Sequence, residues 1–182
     1  MTESDWVFDA GRLCVDFVNT CRDRHRGGRE LLTSPAALAE WARLAGHSGP
    51  GEPDPDRAIR LREAIDRVTR AVTAGTAPDA ADVELLNTEA AAAPPPRLEV
   101  GRHGRPRRVL ATPLLAALAV DAIELVTAEP EIRICAADDC GLRFVDASPK
   151  RSRQWCSMAR CGNRAKARAH YARRKGKPHG AR

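Results

Sequence analysis

Residues 135–161 read CAADDCGLRFVDASPKRSRQWCSMARC, and the four cysteines among them, Cys135, Cys140, Cys156 and Cys161, decide how the last third of the chain folds. They form two pairs, each with four residues between its members, and fifteen residues separate the pairs. Zinc favours four soft ligands in a tetrahedron with sulfurs about 2.3 Å away, and paired thiolates on tight turns provide that geometry at small entropic cost. Between the pairs, Leu142 to Asp146 reads as a strand and Ala147 to Lys150 as a turn. Cys156 and Cys161 are five positions apart and so do not share one helical face. That spacing puts Cys156 just before a helix, Ser157 at its N-cap and Cys161 in its first turn. A knuckle, a hairpin and a helix that supplies the last ligand describe a treble-clef-like zinc finger. All four positions around a Zn2+ ion are then filled by protein, so the metal is expected to be structural. Four buried cysteines without metal, or an iron–sulfur cluster, are the alternatives.

The charge distribution gives this finger a partner. Of the 30 Lys and Arg residues, twelve lie in residues 150–182, and the last acid of the chain is Asp146. The other eighteen share residues 1–149 with all 24 acids, which leaves that part at −6 although the whole chain carries +6. A mildly acidic body with a basic arm points to polyanions as partners of the arm. No apolar run approaches the roughly 18 residues that span a bilayer, and Met1 to Asp9 lacks the regions of a signal peptide, so a cytoplasmic protein without membrane contact is expected. Thiols stay reduced in that compartment, which favours metal over disulfides for clustered cysteines.

The body reads as mostly helical. Aromatic residues make only 4% of the chain against 43% hydrophobic residues, so its core rests on Leu, Val, Ile and Ala. Arg12 to Arg24 is expected to form an amphipathic helix, with Leu13, Cys14, Phe17, Val18 and Cys21 on the apolar arc and Arg12, Asp16, Asn19 and Asp23 in a polar stripe. Ser34-Pro35 starts a second helix, which Gly46 closes, and Asp56 to Ala74 and Asp79 to Ala92 supply two more. Leu98-Glu99-Val100 and Val109-Leu110 flank a turn and predict a short hairpin. Thr112-Pro113 opens the most apolar helix, which ends before Pro130 and should run through the middle of the body. Only Glu129 to Arg133 then precedes Cys135, so the finger should be docked rather than loosely tethered. The expected fold is mainly α (α+β): a helical domain with a short β-hairpin over residues 1–130, then the finger with its basic helix over 131–182.

Cys161-Gly162-Asn163-Arg164, with the flanking Ser152 to Met158 and Ala165 to Arg168, resembles the CGNR zinc-finger proteins. In that family the finger follows a helical domain called ABATE, whose opening motif is similar to Gly11, Leu13, Asp16, Phe17, Asn19 and Thr20 here. The resemblance implies a bacterial transcription regulator linked to stress.

Independently of that likeness, a helix from Met158 to Lys175 would be about 27 Å long, suited to a major groove. Arg164 offers a base-edge or phosphate contact, and Asn163 offers a pairing with adenine. Lys166, Arg168, Arg173, Arg174 and Lys175 extend the charge along the helix as further nucleic-acid contacts. Equally, Asn163 could cap a loop and Arg164 could brace the finger against the body. Trp155, beside a ligand, fits the small core of the finger better than a base-stacking role. Asp16 and Asn19 could hold a small ligand or pin a neighbouring loop, a solvated polar face being the default. No nucleophile–base pair and no phosphate-cradling glycine loop is found, so no enzymatic activity is expected. The expected function is a DNA-binding transcriptional regulator whose body senses a small molecule or forms a homodimer. The runner-up is a zinc-stabilised module that binds protein or RNA.

Overall fold

A computed structural model describes residues 6–51, 54–101, 103–109 and 111–175 of the chain, with backbone alone for 107–109, 169 and 172–175. In order, the elements are α1 (Leu13–Val18), β1 (Cys21–Arg22), a 3-10 turn (Arg24–Arg26), β2 (Arg29–Glu30), α2 (Pro35–Leu44), α3 (Pro55–Thr73) and α4 (Ala80–Ala90). There follow β3 (Arg97–Val100), β4 (Pro106–Val109), α5 (Leu114–Thr127), β5 (Ile132–Ile134), β6 (Arg143–Val145), a π turn (Met158–Gly162) and α6 (Asn163–Lys175). The strands pair as three antiparallel two-stranded ribbons, β1–β2, β3–β4 and β5–β6. The fold is mainly α with small β ribbons, and no described helix is long and apolar enough to cross a membrane.

Local chemistry starts most of these helices. The Ser34 hydroxyl accepts from Ala37 N at 3.1 Å and Pro35 takes the first helical position, where a missing N–H costs nothing. Asp54 accepts from Asp56 N and Arg57 N ahead of α3, and Asp79 from Ala81 N ahead of α4. The short helix α1 has no side-chain cap of its own. Its N-terminus is satisfied from α5, where the Asp121 carboxylate accepts from Cys14 N at 2.8 Å and pairs with Arg12 at 2.8 Å.

α5 supplies the centre of the core through Leu114, Leu115, Leu118, Ala119, Ala122 and Leu125, as its composition predicts. Phe17 of α1 packs on Trp41 of α2 with ring centroids 5.0 Å apart, and Leu61, Ala64 and Ile65 of α3 close the layer. Two ion pairs, Arg67–Asp82 at 2.6 Å and Arg57–Glu89 at 2.6 Å, fasten α4 to α3.

One expectation is corrected here, the length of the first helix. α1 ends at Val18 instead of running to Arg24, and Cys21 lies on a strand rather than on the helical face of Cys14. The helix stops because the Asn19 side chain is taken by β6, the Thr20 hydroxyl donates back to Phe17 O, and Gly27 and Gly28, at φ +97° and +79°, turn the chain into a hairpin. The connection after α5 is itself a strand. Ile132–Ile134 pairs with Arg143–Val145 in the register Ile132↔Val145, Arg133↔Phe144, Ile134↔Arg143. Three residues are too few for an alternating pattern to be visible in sequence.

The finger shares one continuous core with the body. Leu142 and Phe144 are fully buried in the same cluster as Phe17, Trp41 and Leu118. β6 lies along α1, where Val145 N donates to Ala10 O at 2.8 Å. Asn19 donates through Nδ2 to Arg143 O and accepts from Arg143 N, both at 2.9 Å. Asp16 accepts from Ala10 N at 3.0 Å, and burial pushes its carboxyl up to about 7. Asp16 and Asn19 are therefore buried rather than solvated, because the finger covers the polar stripe of α1.

Candidate metal centre

The first cysteine pair sits on the loop that joins β5 to β6, and the second on the approach to α6. Cys135 N donates to Leu142 O at 2.8 Å and Cys140 N to Ala137 O at 3.0 Å, which makes the tight knuckle. Gly141, at φ +66°, closes it. A Cβ there would stand 2.5 Å from Nδ1 of His25, so only glycine lets the body approach so closely. Ala136 N donates to Gln154 O at 2.8 Å and ties the knuckle to the segment carrying Cys156.

The second pair is set by an irregular turn. Ser157 occupies the N-cap position, but it caps with its carbonyl, which accepts from Cys161 N at 2.9 Å and Gly162 N at 3.0 Å. The first turn is a π turn and α6 proper begins at Asn163. This widening brings Cys161 back to the level of Cys156.

The four sulfurs lie within 4.8 Å of one another, and all four cysteines are buried. Cys140 Sγ and Cys161 Sγ are each 3.6 Å from Cys156 Sγ. A zinc tetrahedron with bonds of about 2.3 Å has sulfur–sulfur edges of roughly 3.8 Å, so the donor set fits Zn2+ in geometry and in softness. Its electrostatics fit as well. A hydrogen bond from Cys156 draws the Cys140 thiol down to about 5, whereas that same bond pushes Cys156 up and burial pushes Cys161 up to about 12.

A shell of charged side chains surrounds the cluster. Arg164 Nη2 donates to Cys161 Sγ at 3.5 Å and to Asp139 Oδ1 at 3.0 Å, and Arg168 Nη2 donates to Asp139 Oδ2 at 2.6 Å. One knuckle carboxylate thus holds two arginines of α6, and one of them neutralises charge on a ligand. Arg153 donates to the carbonyls of Trp155 and Cys156 and lies over the Phe144 ring at 4.6 Å. Asp146 accepts from Arg153 N and from Ser148, which fixes the turn between strand and helix. Trp155 is half-buried against the core.

The residues singled out for nucleic acid all lie on α6. Asn163 and Lys166 are exposed, while Arg164 and Arg168 are 42% and 53% exposed despite their shared partner, so one face of each remains open. Arg173, Arg174 and Lys175 continue the helix, but their side chains lie outside the described part. Asp139, Arg153 and Arg143 were not legible as site residues. Only the Asp138-Asp139 doublet inside the knuckle, opposite an acid-free helix, carried a signal.

Four buried cysteines positioned to bind one zinc ion, between a body and a basic helix, define a zinc-finger protein. Residues 11–129 match the family described as "putative stress-induced transcription regulator", ABATE, and residues 131–174 match the CGNR zinc finger. The chain belongs to the ABATE family and ends in a CGNR zinc finger. No curated protein matches it.

Proposed function

We propose that the chain is a zinc-dependent, DNA-binding transcriptional regulator of the cytoplasm, in which residues 131–182 contact the duplex and residues 1–130 sense a small ligand or form a homodimer. The observation that carries this reading is α6: it starts at the metal cluster, bears Arg164, Lys166 and Arg168 on its exposed surface, and belongs to a segment without a single acid after Asp146. Such a helix is both fixed in direction and strongly attractive to phosphates. Six phosphate contacts would make the logarithm of affinity fall against log salt with a slope near −5, each contact giving roughly −0.9. Electrophoretic titrations of the zinc-loaded protein on selected genomic fragments and on random duplex test this. A preferred site bound more tightly than random DNA supports the reading, and absence of salt-dependent binding refutes it. Exposed Met158 and Tyr171 on the same module favour, as the second reading, a protein-binding finger.

A further inference from the structure

We infer that the cleft between the zinc knuckle and the body binds a small phosphorylated anion, and that this anion ties the finger to the body. The inference rests on the proposed sensing role and assigns to it a place and a ligand class. Behind the knuckle, three guanidinium groups converge on one buried carboxylate. Asp66 of α3 has Arg143 Nε at 2.5 Å, Arg70 Nε at 3.2 Å and Arg24 Nη1 at 3.8 Å. Arg24 also forks onto Glu63 at 2.7 and 2.8 Å. Glu63 in turn is shared with Arg62, whose main partner is Glu30 at 2.6 and 2.7 Å. Four arginines thus meet three carboxylates and one positive charge is left over among them; Arg24, Arg62 and Arg143 are largely buried, and Arg70 is more than half exposed.

That excess faces a cleft of about 380 Å³. Arg24, His25 and Arg70 line it from the body, and Ile134, Ala137, Arg143 and the zinc ligand Cys135 from the finger. Asp138 is the one acid among the described residues of its wall, and Asp66 lies beneath the arginines rather than on the surface. Arg24 Nε is buried without a hydrogen-bond partner. Burial, together with the nearby cations of Arg24 and Arg70, pulls the Arg143 guanidinium down against the support of Asp66, and a bound anion would add to that support. Guanidinium forks match phosphate oxygens better than a point charge does, and the apolar Ile134 and Ala137 suit a small organic remainder. The volume admits a small phosphorylated metabolite. A ligand gripped by Arg24 and Arg70 on one side and Arg143 on the other bridges body and finger, so its occupancy would bear on how firmly α6 is held.

Inorganic phosphate is the probe, titrated calorimetrically into the zinc-loaded full chain at fixed ionic strength, with chloride as the control anion. We expect saturable binding that Arg70→Gln weakens at least fivefold and Arg70→Lys weakens less. Arg70 is more than half exposed, so these variants keep the fold, which far-ultraviolet circular dichroism and zinc content verify. Replacing Arg173, Arg174 and Lys175 by Gln should leave phosphate binding within twofold. Unchanged affinity in Arg70→Gln, or loss in the triple variant, overturns the inference, the latter by placing phosphate on the basic helix. No step uses DNA, so failure here is separate from failure of the DNA-binding reading.

Discussion

Asn19→Ala should loosen the finger from the body, and the structure supplies the magnitude. Among the described residues Asn19 is the side chain that bridges the end of α1 to the backbone of β6, and it satisfies both the N–H and the C=O of Arg143 at 2.9 Å in a buried setting. Removing it orphans one donor and one acceptor at once. Each buried unsatisfied group costs about 1–3 kcal/mol, so the expected loss is about 2–4 kcal/mol after partial relief by entering water. Asn19→Asp is the informative companion: it keeps the volume and the acceptor for Arg143 N, but sets a carboxylate oxygen against Arg143 O and should be at least as damaging. Urea unfolding of the zinc-loaded proteins measures the loss. Hydrogen exchange locates it, with faster exchange expected in residues 132–145 before any change in α5. A loss under about 0.5 kcal/mol for Asn19→Ala, with unchanged exchange in β5 and β6, would refute the claim that this pair of bonds clamps the finger.

Purified protein should contain one zinc per chain, and Cys140→Ser or Cys161→Ser should abolish it; chelation should make the freed thiolates take up protons and disorder β5, β6 and the π turn, as near-ultraviolet dichroism of Trp155 would record. The contribution of Asp16 to stability should fall as pH rises from about 4 and level off above 7, because burial holds the folded Asp16 carboxyl near 7 while the unfolded chain loses that proton lower down; the slope from this group is at most about 1.4 kcal/mol per pH unit. Asp16→Asn, which can still accept from Ala10 N, should remove that slope and be the more stable protein at pH 8 in thermal melts. Asp139→Asn should free Arg164 and Arg168 and, on the DNA-binding reading, strengthen duplex binding two- to fivefold at low salt; weaker binding would show that the carboxylate is needed to aim the two arginines.

What could be read in advance followed from local chemistry. Helix starts at Ser34-Pro35 and Asp79 are capping events within a few residues, and the thiolate spacing reports a geometry that the chain must close around one ion. What could not be read depends on partners far along the chain. The stripe of Asp16 and Asn19 looks like a solvated face until β6, more than a hundred residues later, is laid on it. Arg143 reads as an ordinary polar position of a strand, although its guanidinium is buried against Asp66, 77 residues away. The end of α1 was misplaced for the same reason: Asn19 could extend a helix by propensity, but its side chain is committed to a strand of the finger.

The charges of α6 divide into two groups with different consequences for any polyanion it meets. Near the metal, Arg160 faces Asp9 at 3.8 Å and Arg164 and Arg168 share Asp139, so these cations are already aimed and partly neutralised. A phosphate arriving there must replace a carboxylate, and the net gain per contact is the difference between two similar interactions. What such exchange offers is geometry, since an arginine held at the start of a helix that is itself anchored by Cys161 has little orientational freedom to lose on binding. Farther along, Arg173, Arg174 and Lys175 belong to a stretch with no acid in sequence, and a phosphate there relieves self-repulsion directly. The distal cations should therefore govern the salt slope, and the proximal ones should govern discrimination between sites. Replacing the distal three by Gln should flatten the slope by roughly 2–3 units and weaken all duplexes alike. Arg164→Ala should cost about 1–3 kcal/mol on the preferred site and much less on random DNA. Equal losses on both, with zinc content intact, would reassign Arg164 to bracing Cys161 and the knuckle alone.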